Sequence, residues 1–181
     1  YKTIRGEHEV YRVTIEEFCR ICELYYNSTG DTKKDAGLRL MRQIKLLIKA
    51  CSVPHLISGY YGEDYPSKTR YIETLIRKIP GKVAIGCTTI AAFDLYESYI
   101  RERFPDRQIY VVKGDVAFKK RQSIVTEFDP TINGILICTQ QSLSSSVNIP
   151  TCNDVILESL QWNISKRSSS TSASYASTPR R

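Results

Sequence analysis

Four short apolar runs in the second half of the chain constrain its fold most strongly: Val83–Cys87 (VAIGC), Ile109–Val112 (IYVV), residues 135–138 (ILIC) and residues 155–157 (VIL). Helical spacing separates the first three runs. Ala92, Leu95, Tyr96, Tyr99 and Ile100 recur on one side of the first connection, and Phe118, Ile124, Val125 and Phe128 on one side of the second. Apolar strands joined by amphipathic helices in units this short imply a parallel sheet with helices on both faces. The expected class is α/β.

The last two runs lie within residues 134–163, GILICTQQSLSSSVNIPTCNDVILESLQWN. Thr139 to Ser146 is almost wholly hydroxyl and amide side chains, read as a polar loop leaving the carboxyl end of a buried strand. In open parallel sheets ligands are held at such loops. This loop is the expected working surface.

Upstream the sequence reads as helical. Residues 1–13 suggest a strand or extended arm, after which Thr14 and Glu17 form a capping box for a helix with Ile15, Phe18, Cys22 and Tyr25 on one face. Asn27 to Asp31 stops it. A second helix over residues 33–51 places Leu40, Met41, Ile44, Leu47, Ile48 and Cys51 in one stripe and ends before Pro54. After a Gly- and Tyr-rich loop, Ser67 is expected to cap a third helix with Ile72, Leu75, Ile76 and Ile79 on one face, stopped by Pro80-Gly81. The expected organisation is a helical extension over residues 1–66, an α/β domain over 67–164 and a disordered Ser-rich basic tail over 165–181.

The net charge of +7 supports an anionic partner, but the last sixteen residues hold four of the basic side chains and no acid, leaving +3 elsewhere. No apolar run approaches the ~20 residues that span a bilayer, and no signal-peptide pattern opens the chain, so an intracellular protein, cytoplasmic or nuclear, without a membrane partner is expected. Cys19 and Cys22 form a C-x-x-C, yet the only histidines are His8 and His55 and no second pair completes a metal site. Core thiols on a helix are the preferred reading.

No G-x-x-x-x-G-K-[ST] phosphate cradle is present, nor a Ser-His-Asp or paired-carboxylate constellation. Four ordered motifs nevertheless resemble the second RecA-like domain of superfamily 2 helicases and translocases, especially the SWI/SNF-type branch. KVAIGCTTIAAFDLYESYIRERF is similar to the motif IV strand and helix, with Cys87, Thr88 and Thr89 in its polar loop. YVVKGDVAFKKRQSIVTEF resembles the strand, Gly turn and K-x-R-Q helix, matched at Gly114, Lys119, Arg121 and Gln122. GILICTQQSLSSSVNIP resembles motif V, with Thr139, Gln140 and Asn148 at matching places, and DVILESLQWN resembles the strand and Trp-Asn that follow. More weakly, IKACSVPHLI resembles the helix and turn that precede this domain in that branch.

The resemblance implies a RecA-like, P-loop NTPase-type sheet with an N-terminal helical extension, belonging to an ATP-dependent DNA helicase or translocase. ATP with Mg2+ would be shared with a first RecA-like domain that carries the P-loop, and DNA would be the partner, with RNA left open. Cys87, Thr88, Thr89, Gly114, Thr139 and Gln140 would face the nucleic-acid backbone, with Lys119 and Arg121 adding charge. Ser146 and Asn148 would lie nearer the nucleotide.

Two departures stand out. Ser146 replaces the family's usual Gly, and the Ser-rich tail stands where motif VI, with its arginine finger, should follow. Hydrolysis by this polypeptide alone is therefore not expected. The alternatives are a catalytically inactive α/β nucleic-acid- or protein-binding module and, more weakly, a flavodoxin-like or glycosyltransferase-like domain.

Overall fold

A computed structural model of the chain describes residues 5–114, 116–144 and 149–160. Two compact units divide it, the first ending at Arg70 and the second beginning at Tyr71.

The first unit is a helical hairpin, α1 (Arg5–Asn27) and α2 (Gly30–Ser52), followed by a 3-10 turn at Pro54–Leu56. The extended arm expected before Val13 is instead the first turns of α1. Its start is held by tertiary contacts that no local pattern announces. The buried Glu7 carboxylate accepts from the Ser67 amide at 2.5 Å and from the Ser67 hydroxyl, and a Cβ on Gly6 would meet the Gly62 amide nitrogen at 2.8 Å.

Thr14 is correspondingly not a cap. It lies inside α1, where its hydroxyl donates to the Val10 carbonyl at 2.6 Å, the i−4 bond open to a helical threonine. Ser67 likewise gives its hydroxyl to Glu7, and the Pro66 carbonyl accepts the Thr69 amide at 3.0 Å to open α3 (Ser67–Lys78).

α1 ends at Asn27 as its breakers require, and Gly30 opens α2 at φ +57, a left-handed angle that side chains disfavour. The seam of α2 differs from the expected stripe. Ala36, Gln43 and Ala50, seven residues apart, are buried, whereas Leu40, Ile44, Leu47 and Ile48 are half-buried and Met41 and Cys51 exposed. Small side chains let two helices approach closely, and Gln43 is admitted because its amide donates to the Thr14 carbonyl at 2.9 Å. Cys19 is exposed and Cys22 half-buried, so neither is the core thiol expected.

The second unit is a four-stranded parallel sheet in the order β2-β3-β1-β4, formed by β1 (Val83–Cys87), β2 (Ile109–Val112), β3 (Ile135–Thr139) and β4 (Asp154–Leu157). β1 and β3 are central and their apolar residues are buried on both faces, which explains their unbroken apolar runs. α4 (Ile90–Arg103) packs against β1 and β3, and α5 (Phe118–Phe128) against β2.

On one side of the pleat Ala84, Val112, Leu136 and Cys138 gather around Phe128, whose ring meets Tyr110 edge-on at 5.6 Å. The alternate residues Val83, Ile85, Ile135 and Ile137 are fully buried on the other. The expected helix faces are largely observed, with two differences. Phe93 is buried in α4 while Leu95 is half-buried, and Phe118 is 53% exposed because it begins α5.

Among the described residues no helix is long and apolar enough to cross a membrane.

Candidate functional site

Parallel pairing brings all four strand ends to one edge of the sheet. The register sets Cys87 of β1 beside Thr139 of β3, and Val112 beside Cys138, so the connections after β1, β2 and β3 begin side by side. Gly114 follows two residues after β2, and Glu158 and Ser159 directly follow β4.

The loop after β1 is built from its side chains. Cys87 ends the strand fully buried, and burial, with smaller contributions from Glu158 and Cys138, pushes its thiol well above the ordinary range. Thr89 is the N-cap of α4, its hydroxyl accepting from the Ala92 amide at 3.1 Å. Between them the Thr88 hydroxyl donates to the Ser159 carbonyl at 3.3 Å, and the Thr88 amide lies 3.4 Å from a Glu158 carboxylate oxygen.

The expected polar loop after β3 is in its first part a short helix, α6 (Gln140–Ser144), which starts immediately at the strand end. The Thr139 and Ser142 hydroxyls lie 2.8 Å apart, with Ser142 buried and Thr139 half-buried. A run of Ser and Gln reads as loop by propensity, and the packing of this turn against β1 and β3 overrides that reading.

Gln140 is 1% exposed. Its Nε2 donates to the Thr88 hydroxyl at 3.1 Å, to the Gly86 carbonyl at 3.4 Å and to the Ser159 carbonyl. Glu158, 4% exposed, accepts from the Ser159 hydroxyl at 3.0 Å. Neither Glu158 nor Ser159 was among the sequence candidates. Their signal was their place one and two residues past the last apolar run, in the LES of DVILESLQWN.

After β2, Gly114 lies in a turn, and Arg121 of α5 reaches back to it, donating from Nη2 to the Gly114 carbonyl at 2.8 Å and from Nε to the Val116 carbonyl at 2.5 Å. Lys119, two residues earlier on α5, is exposed. Lys113 at the end of β2 pairs with Asp94 at 2.9 Å and sits 5.0 Å from the Phe93 ring centroid.

The structure thus collects Cys87, Thr88, Thr89, Gly114, Thr139 and Gln140 at one sheet edge and sets Arg121 against the Gly114 turn. Ser146 and Asn148 lie outside the described residues, as do Trp162 and the tail from residue 165. No group of His, Cys, Asp and Glu able to hold a metal ion occurs among the described residues.

Residues 67–172 match the family model for the helicase conserved C-terminal domain. No curated protein matches the sequence. Solved structures share the fold. The C-terminal part of the Fun30 ATPase domain superposes with a TM-score of 0.70 at 12% identity, covering 97% of this chain and 78% of that one. The Sulfolobus solfataricus SWI2/SNF2 ATPase core domain gives 0.71 at 16% identity, over 96% and 35%. The same organism's SWI2/SNF2 ATPase core in complex with dsDNA gives 0.62 at 18% identity, over 85% and 33%. The chain therefore spans about a third of the length of those ATPase cores.

Proposed function

This chain belongs to the helicase conserved C-terminal domain family, and we propose that it is the second motor domain of an ATP-dependent DNA translocase of SWI/SNF type, contributing contacts to the nucleic-acid backbone. The observation that carries the reading is the Cys87–Thr139 register, which sets the connections after β1 and β3 side by side. Hydroxyls and backbone N–H groups at strand ends suit phosphate oxygens, which position a duplex without reading its sequence. Thr88, Thr89 and Thr139 supply such groups, and the exposed Lys119 on α5 supplies charge. The dsDNA bound by the Sulfolobus ATPase core favours duplex DNA as the ligand.

ATP with Mg2+ is proposed to lie between this domain and a first RecA-like domain bearing the P-loop. When bound, the nucleotide supplies the energy that closes two such domains by a hinge motion. Ser146 and Asn148 are the proposed residues on its side. The sheet-edge residues of this chain serve to bind the nucleic-acid backbone and position it.

The test joins the chain to a P-loop-bearing first motor domain and measures ATP hydrolysis with and without duplex DNA. Stimulation by duplex is expected. A correctly folded product whose hydrolysis ignores DNA overturns the reading.

A further inference from the structure

We propose that Gln140 is a positioning residue, a buried clamp that ties the segments after β1, β3 and β4 into one unit, and that it does not itself meet nucleic acid. Its place beside Thr139 in motif V suggested a backbone contact. The geometry points inward instead.

Gln140 opens α6 at the end of β3, yet its amide nitrogen engages Gly86 in β1, Thr88 after β1 and Ser159 after β4. An amide nitrogen has two hydrogens, so these three acceptors share them in one tight cluster. Thr88 closes the cluster by donating its hydroxyl to the same Ser159 carbonyl that Gln140 reaches. β4 is fixed to β1 just beneath, where the Glu158 amide donates to the Gly86 carbonyl at 2.9 Å.

The amide type follows from this environment. A glutamate at position 140 could not donate to two carbonyls while ionised and would stand near the Glu158 carboxylate. A leucine would remove the shared donor from the Thr88 hydroxyl and the Gly86 and Ser159 carbonyls, leaving the β1, β3 and β4 ends joined by fewer bonds. Either change releases the loop that carries Thr88 and Thr89. Those two residues are proposed backbone contacts, so the effect of Gln140 on DNA rests on the proposed function, while its effect on the loop does not.

Two measurements test the clamp. The first is amide hydrogen exchange in the full chain for wild type, Gln140→Ala and Thr88→Val. Loss of the clamp is expected to speed exchange of the Thr88 and Thr89 amides about tenfold in both variants, with β2 unchanged. Unchanged rates at Thr88 and Thr89 overturn the proposal, and so does equal acceleration in β2, which would mean general destabilisation.

The second is binding of a fluorescein-labelled duplex. Gln140→Ala is expected to weaken it about tenfold, while in the absence of DNA adding Thr88→Val to Gln140→Ala speeds exchange of the loop no more than about twofold further, since both remove the same clamp. Full additivity in exchange, or duplex binding unchanged by Gln140→Ala beside the expected exchange in the loop that binds it, overturns the clamp. If exchange changes as expected while wild type binds no duplex, the clamp stands and the proposed function falls.

Discussion

The Arg107 guanidinium donates from Nε to the Asn133 carbonyl at 2.6 Å, joining the turn before β2 to the turn before β3. Its other nitrogens reach the Gly81 carbonyl at 2.5 Å and the Ile76 and Ile79 carbonyls at 3.4 Å, so one side chain also closes the C-terminal end of α3. A cation there complements the helix dipole and adds a donor at the helix end, where the Ile76 carbonyl also accepts from the Ile79 amide at 3.1 Å. Partial burial lowers its pKa somewhat from the ordinary arginine value.

Arg107→Ala is expected to destabilise the chain by about 1–2 kcal/mol, because it removes the guanidinium donor from the Asn133, Ile79 and Gly81 carbonyls at once. Arg107→Lys should recover only part, since an ammonium cannot span the same fork of acceptors. Urea unfolding at constant m reads both, and equal stability of Arg107→Ala and wild type would refute this role.

Thr89 carries the N-cap of α4 by a single hydroxyl. Thr89→Ala should cost about 1 kcal/mol and Thr89→Ser far less, measured by thermal unfolding. A serine variant as unstable as the alanine one would show that the methyl group, not the hydroxyl, matters.

Lys119 and Arg121 should separate in salt titrations of duplex binding. Lys119→Ala is expected to reduce the slope of log K against log salt by about 1, the mark of a lost phosphate contact. Arg121→Lys keeps the charge and should leave the slope intact while loosening the Gly114 turn, seen as faster amide exchange over residues 113–117. A slope reduced by about 1 in Arg121→Ala, which removes the charge, would place that guanidinium on phosphate.

The buried thiols predict an alkaline limit to stability. Burial raises Cys87 and Cys138 above the ordinary thiol value near 9.0. The folded chain therefore holds these protons at pH values where the unfolded chain releases them. Their contribution is fully present below about pH 9 and declines as pH rises above it. Urea midpoints for wild type should fall more steeply from pH 8.5 to 10 than those of the Cys87→Ala, Cys138→Ala double variant. Parallel curves would remove the thiols as the cause. Exposed Cys19 and Cys51 should react first with a thiol reagent.

Where the sequence reading succeeded, a residue's neighbours along the chain were enough. The apolar runs of β1 and β3 and the spacing of Tyr96, Tyr99 and Ile100 encode burial directly, because central parallel strands are covered on both sides and one stripe of a helix faces them. Where it failed, the deciding partner was distant. Thr14 matches a capping box as well as it matches an interior turn, and contacts near residues 62 and 67 select the second by holding the start of α1 in place. Ala36, Gln43 and Ala50 make a close-packed seam that the larger side chains around them conceal.

By itself the sequence determined the α/β class, the strands, the resemblance to the second RecA-like motor domain and the segments that cluster at one sheet edge. These follow from short-range periodicity and ordered motifs. The tertiary structure decided what the side chains at that edge do. Only strand register brings Gln140 to Thr88 and Ser159, 52 and 19 residues away, where its buried amide donates to both. Hydrogen bonds between residues so far apart leave no period in the sequence, because their geometry exists only once the sheet has formed.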